Sequence, residues 1–259
     1  MRPAFLALPL ACAFWAACAA EVALTPLAYG MAPPAYGPLA AGLTAIVAIW
    51  LLSGLFARGS VPRLRAMGIL PDRFSPVRLL VGAMAGVLLV AVYFVIAAPL
   101  ANIAWTRNAA VGPAAVSLSL AGALAGAAAE ELAFRGYPLR RLMEAYGLWP
   151  AQAVVALAFI LYHILIVGWP VLPAIVGTGL GSLLFGMAAV VSRGLALPIG
   201  LHATWNFGMW AGGTRELPAP WQIEHIDPAN GAFANWVAFP IAAAAGIAVF
   251  LILHHRQRR

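Results

Sequence analysis

The chain has 259 residues, of which 64% are hydrophobic and 9% charged. So few charges cannot coat a water-soluble globule of this size, and most of the surface must therefore meet lipid. The net charge of +7 comes from arginine, since the chain contains no lysine. Those arginines sit between apolar runs and not on one solvated face, which speaks against nucleic acid as a partner.

The apolar runs are long and continuous, which favours spanning helices over the short alternating segments of a membrane barrel. A span takes about 20 apolar residues. Runs of this kind are predicted near 4–25, 38–57, 77–99, 114–134, 150–168, 173–192, 195–212 and 233–253. The expected architecture is an all-α polytopic bundle of about eight spans, forming a single membrane domain over 1–259. The first run begins like a signal peptide, with Arg2, an apolar stretch and the small residues Ala17 to Ala20. It continues past Glu21 toward Leu27, so it is read as the first span. Cys12 and Cys18 lie in this run on different helical faces, and no zinc or CxxC spacing is present.

Prolines punctuate the gaps, at Pro33, Pro34 and Pro38, at Pro62 and Pro71, and at Pro113, Pro150, Pro170, Pro173, Pro218 and Pro220. With the N-terminus in the cytoplasm, Arg2, the cluster Arg58 to Arg78, the trio Arg135, Arg140 and Arg141, Arg193, and Arg256 to Arg259 all fall inside. Of the 15 arginines, Arg107 and Arg215 alone are left outside. This bias predicts both termini on the cytoplasmic side. The pairs Gly82/Gly86, Gly122/Gly126 and Gly177/Gly181 have the spacing that lets helices approach closely.

Ionisable groups within apolar spans are costly and mark functional sites. Glu130, Glu131 and Arg135 end the fourth run, His163 lies in the fifth, and His202 and Asn206 lie in the seventh. Glu131 and Arg135 are one helical turn apart and can pair. Glu130 continues the face of Gly122 and Gly126 and is expected to point into the bundle. His202 and Asn206 share a face. Peptide hydrolysis needs an activated water, a proton shuttle and donors for the oxyanion. A carboxylate and a histidine can supply the first two, and a second histidine with an amide the third. A zinc ion held by Glu130, His163 and His202 could instead acidify the water. GxSxG, HExxH and phosphate-loop patterns are absent from the sequence.

The three motifs are Glu130-Glu131-Leu132-Ala133-Phe134-Arg135, Phe159-Ile160-Leu161-Tyr162-His163 and His202-Ala203-Thr204-Trp205-Asn206. In this order they resemble the EExxxR, FxxxH and HxxxN signature of the intramembrane proteases grouped with type II CAAX prenyl proteases and bacteriocin-processing enzymes, the Abi family. The resemblance covers a core of roughly residues 115–210. It implies an endopeptidase with a membrane-embedded cavity, acting on a peptide or membrane-protein substrate. Glu130 would activate water with help from His163, and His202 and Asn206 would hold the oxyanion. Glu131 and Arg135 would shape the site. Zinc-assisted and metal-free versions both fit the resemblance. The expected location is a bacterial cytoplasmic membrane; substrate identity and oligomeric state stay open.

Two other readings use the same residues, a non-catalytic scaffold or immunity protein and a small proton-coupled transporter. Against transport, no pair of matching interrupted half-helices is visible. One spacing sets a condition on a shared site. His163 lies 13 residues beyond Pro150, roughly 20 Å along a helix, whereas Glu130 closes the run 114–134. The fifth helix must therefore start well outside the apolar core or tilt strongly.

Overall fold

The computed structural model describes residues 4–22, 36–215, 218–225 and 227–259. After a short turn at Ala4–Leu6, the helices are α1 (Ala7–Val22), α2 (Gly37–Phe56), α3 (Val61–Ala66), α4 (Ser75–Ala101), α5 (Pro113–Glu131), α6 (Tyr137–Tyr146), α7 (Leu148–Leu165), α8 (Val171–Ser192), α9 (Ala196–Ala211) and α10 (Pro228–Gln257). Two short strands, β1 (Ala104–Arg107) and β2 (Trp221–His225), form an antiparallel ribbon. The chain is an all-α membrane bundle with this one small addition. The continuation of the first run toward Leu27 and the break at Pro33 and Pro34 lie outside the described residues.

All eight expected segments contain a helix. Among the described residues, six helical runs have the length and apolarity to cross a membrane, namely α2, α4, the run Pro113–Tyr146, α7, α8 and Phe233–Gln257 of α10. Helices α1 and α9 have 16 residues each, about 24 Å, short of a hydrocarbon core of about 30 Å. The apolar faces of α2 and α4 are turned outward, through residues such as Leu43, Val47, Leu51, Leu80, Met84 and Val87. In an aqueous protein this would be a liability, and here it is the lipid-facing belt. Helix α8 is the exception, mostly buried at the centre of the bundle.

Close packing is carried by glycine at some of the expected pairs and not at others. A Cβ on Gly82 would run into the Leu197 carbonyl, one on Gly86 would sit 2.8 Å from the Leu201 carbonyl, and one on Gly200 would meet the Leu79 carbonyl. Helices α4 and α9 thus touch backbone to backbone, which fixes the helix that bears His202 and Asn206. Gly122 faces Pro38 of α2, but a Cβ on Gly126 would meet nothing within 4 Å. Gly42 of α2 is the tight residue at that crossing, with Ala125 at 2.7 Å from its virtual Cβ. Gly177 and Gly181 approach only side chains, at 3.6 Å or more.

The fourth predicted span ends too early at residue 134. Helix α5 passes through a π-helical turn, Leu132–Gly136, bends at Gly136 where ψ is −116°, and continues as α6 to Tyr146. A π turn widens the helix by one residue. Here the Ala133 carbonyl accepts a hydrogen bond from Trp15 Nε1 at 3.1 Å. Helix α1 docks on this turn with one stripe, Ala7, Ala11, Phe14 and Cys18. Phe14 stacks on Tyr137 with ring centroids 5.4 Å apart and meets Phe56 of α2 edge-on at 5.2 Å.

Gly147, with φ of 84°, then reverses the chain into α7, a left-handed conformation in which a side chain would be strained. Glu130 is seventeen positions before Gly147 and His163 sixteen after it. The arms of this helical hairpin are in step, since the Phe134 ring meets Phe159 at 4.8 Å and Tyr162 at 5.6 Å. This meets the spacing condition. Helix α7 begins at the level of α6, beyond the expected end of the fourth span, and arrives at Glu130 with His163.

The arginine-rich segment between α2 and α4 is ordered by local caps. Ser60 accepts from the Arg63 amide at the start of α3. Asp72 accepts from the Phe74 amide and from the Ser75 hydroxyl, and Arg78 donates to it at 2.8 Å. The Arg78 hydrogen bond holds the Asp72 carboxyl below its ordinary pKa. At the other end of the bundle, the ribbon ties the α4–α5 connection to the α9–α10 connection. Asn108 donates to the Pro220 carbonyl at 2.8 Å, and Trp105 Nε1 to the Gly212 carbonyl at 3.0 Å.

Candidate active site

Glu130 and Glu131 close α5, Arg135 lies in the π turn, His163 near the end of α7, and His202 and Asn206 one turn apart on α9. The two glutamates differ in burial. Glu131 is the deep carboxylate, with no exposure, whereas the Glu130 side chain keeps 26%. The expected inward direction of Glu130 rested on the face of Gly122 and Gly126. That face leans on α2 at Gly122 but opens at Gly126.

Glu131 Oε1 accepts from Arg135 Nη1 at 3.2 Å and lies 2.9 Å from His202 Nδ1. The expected pair of Glu131 and Arg135 is therefore formed, and α9 adds a third member. Arg135, also without exposure, donates from Nη2 to the Ser182 carbonyl of α8 at 3.3 Å. Its guanidinium lies 4.5 Å from the centre of the Phe159 ring and 5.6 Å from that of Phe185, where a cation is attracted by the ring faces. Buried charges persist when they are paired and hydrogen-bonded, and this network joins α5, α7, α8 and α9 at one point.

His202 is 5% exposed and stacks on Phe185 with ring centroids 4.3 Å apart. Its Nε2 points toward Glu130, 3.8 Å from Oε2. That oxygen of Glu130 is itself buried without a hydrogen-bond partner. The separation exceeds a hydrogen bond, and a polar gap of this kind suits a bridging group. His163 is boxed by Phe159, Tyr162 and Trp169, with ring centroids 4.5, 5.2 and 5.1 Å away. Its Nδ1 donates to the Phe159 carbonyl at 2.9 Å, because a carbonyl can only accept. The neutral ring then keeps its lone pair on Nε2. His163 lies close enough to Glu130, His202 and Arg135 to feel their charges.

Asn206 is half-buried, and its Oδ1 accepts from Arg215 Nη2 at 3.3 Å. Arg215 stands on the connection after α9. Its side chain is exposed, and partial desolvation lowers its pKa from the ordinary value against the opposing pull of the Glu130 carboxylate. Motif reading passed over Arg215, Phe185 and the Ser182 carbonyl. The available signal for Arg215 was its isolation as one of two arginines on the sparsely charged side. No such signal marks Phe185 or Ser182 in an apolar helix.

Glu130, His163 and His202, which the zinc-assisted version would use as ligands, are not drawn together as a set of three. Among the described residues no three His, Cys, Asp or Glu side chains are grouped as metal ligands would be. His202 Nδ1 is engaged by Glu131, which leaves Nε2, 3.8 Å from Glu130 Oε2, as its remaining nitrogen.

Residues 112–208 match the family model described as Type II CAAX prenyl endopeptidase Rce1-like. That segment is similar to the Rce1-like family, and all six polar residues of the three motifs lie within it. No curated protein and no solved structure matches the chain.

Proposed function

We propose that this Rce1-like chain is an intramembrane endopeptidase in which Glu130 activates the attacking water. The observation that carries the reading is the gap of 3.8 Å between Glu130 Oε2 and His202 Nε2, with the buried Glu130 oxygen lacking a partner. A water in this gap would give its proton to Glu130, with the Nε2 lone pair of His163 assisting, as its oxygen attacks the peptide carbonyl carbon. The carbonyl oxygen becomes an oxyanion. His202 in its protonated form has an N–H at each nitrogen, one for Glu131 and one for the oxyanion, and the Asn206 amide supplies a further donor. Glu130 then returns the proton to the leaving nitrogen as the C–N bond breaks, giving a carboxylic acid and an amine.

Glu131 and Arg135 support this chemistry from beneath. Glu131 fixes the ring of His202 and carries the counter-charge for its protonated form, while Arg135 pairs with Glu131 and ties it to α8. The substrate is a peptide or membrane protein reached within the bilayer, and the site belongs to a protein of the bacterial cytoplasmic membrane. The direction of entry follows from the same arginine bias that orients the chain, with both termini and the α6–α7 turn in the cytoplasm.

The test is cleavage of a mixed pool of internally quenched fluorogenic peptides by purified protein in detergent, wild type beside Glu130→Gln, with and without a chelator. Glu130→Gln is expected to lose at least about a hundredfold in rate, as for loss of a general base, and to keep the wild-type melting temperature. The chelator is expected to have no effect. Loss of activity in chelator would replace the metal-free mechanism with a metal-assisted one. Cleavage retained in Glu130→Gln would overturn the role of Glu130. A folded wild type that cuts nothing in the pool would favour a scaffold built on the Glu131, Arg135 and His202 network.

A further inference from the structure

Arg215 lies outside the three motifs and yet reaches their space. Its Nη2 donates to Asn206 Oδ1 at 3.3 Å, and its charge is coupled to Glu130. The connection that carries it is held at several points. Thr214 Oγ1 donates to the Met209 carbonyl at 2.7 Å, and Trp210 Nε1 donates to the Pro218 carbonyl at 3.2 Å. Gly213, at φ of 79°, lies so close to β2 that a Cβ there would sit 2.6 Å from the Trp221 carbonyl. Arg215 also lines a cavity of about 440 Å³ with Thr106, Pro218, Trp221 and Glu224. It is thus presented from the ribbon end of the bundle on an ordered support.

A side-chain amide has an acceptor on one branch and two N–H donors on the other, whereas a guanidinium has donors alone. A hydrogen bond between Arg215 and Asn206 therefore consumes Oδ1 and leaves Nδ2 on the opposite branch. His202 and Asn206 lie one turn apart on the same face of α9, and with Oδ1 held by Arg215 it is the donor branch, Nδ2, that stays free there. An oxyanion needs donors. The reverse orientation of the amide would turn an oxygen lone pair toward a developing negative charge.

We propose that Arg215 is a positioning residue that locks the Asn206 amide with Nδ2 facing the reaction centre. This rests on the reading of Asn206 as an oxyanion donor. Arg215 touches neither water nor substrate in this role; it selects one of two amide orientations that differ by a half-turn about a single bond.

The test uses the peptide cut fastest in the pool. Asn206→Ala is expected to lower kcat about a hundredfold, the effect of removing one oxyanion donor. Arg215→Ala should lower kcat by about tenfold with KM little changed, and Arg215→Lys, which restores a donor to Oδ1, should recover most of the loss. In an Asn206→Ala background, Arg215→Ala should cost nothing further in kcat, because the group it acts through is gone. Full additivity of the two changes would overturn the proposal, as would Arg215→Ala at wild-type kcat. Near wild-type kcat in Asn206→Ala alone would instead sink the donor role of Asn206 and leave the cause there. A second measurement is independent of turnover. The chain has five asparagines, so selective ¹⁵N-asparagine labelling gives five side-chain NH₂ pairs, with that of Asn206 identified by its absence in Asn206→Ala. Arg215→Ala should shift or broaden this pair and Arg215→Lys should restore it. An unchanged pair in Arg215→Ala would reject the lock.

Discussion

Replacing Glu131 by Gln would leave the Arg135 cation fully buried without the counter-charge of its ion pair. Breaking a buried pair from one side costs about 3–5 kcal/mol. Glu130→Gln removes a carboxylate that keeps part of its exposure and stands 3.8 Å from His202 Nε2, beyond hydrogen-bond distance. Thermal unfolding in detergent should therefore show Glu131→Gln clearly destabilised and Glu130→Gln close to wild type. Equal melting temperatures would contradict the ranking of the two carboxylates by burial. At this scale the sequence made the six polar residues visible, because ionisable groups are rare in apolar runs. It also identified the i,i+4 partner of Glu131. Which of two adjacent glutamates goes deeper was not legible, since a rotation of about 100° per residue selects a face but the neighbouring helices decide which face is covered. Arg215 was legible as a charge and not as a neighbour of Asn206, because the contact depends on a turn whose path no motif encodes.

Among the elements, the spans were readable from hydropathy and the breaks from proline and glycine. The π turn at Leu132–Gly136 was not, since nothing in its composition separates it from α-helix. Its presence follows from what it enables, a carbonyl free for Trp15 and a bend that sends α6 back along α7. The ribbon was hidden for another reason: β1 and β2 are short and more than a hundred residues apart, so no hairpin turn advertises them. GxxxG spacing selected the right pair on α4 and two weaker ones elsewhere, as expected for a motif frequent by chance in a chain with 25 glycines. This separation can be measured. Gly82→Ala would force α4 off α9 and should lower both melting temperature and activity. Gly54→Ala on α2, where a Cβ meets nothing within 4 Å, should be neutral or slightly stabilising, given about 1 kcal/mol of helix propensity in favour of alanine. Loss of stability in both alike would argue against the close α4–α9 crossing.

For the whole molecule, the arginine bias and the fold make one joint prediction. The segment holding Arg58 to Arg78 and the α6–α7 turn should face the cytoplasm, and the ribbon should face the other side. In a background with Cys12 and Cys18 replaced by Ala, a single cysteine at Thr106 should react with a membrane-impermeant maleimide added to intact cells. One at Ser60 should react after the cells are opened. The reverse pattern would invert the chain in the membrane and with it the side from which a peptide meets Glu130.

Seventeen positions on one side of Gly147 and sixteen on the other bring a carboxylate and an imidazole to the same height. What such a calliper conserves is length. Within the two arms, one amino acid may replace another wherever packing allows, but a single codon gained or lost shifts one tip by about 1.5 Å and turns it through about 100°. Genes for working versions of this hairpin should therefore drift freely in spelling between the two tips while holding their count, and insertions should collect instead in the connections outside it.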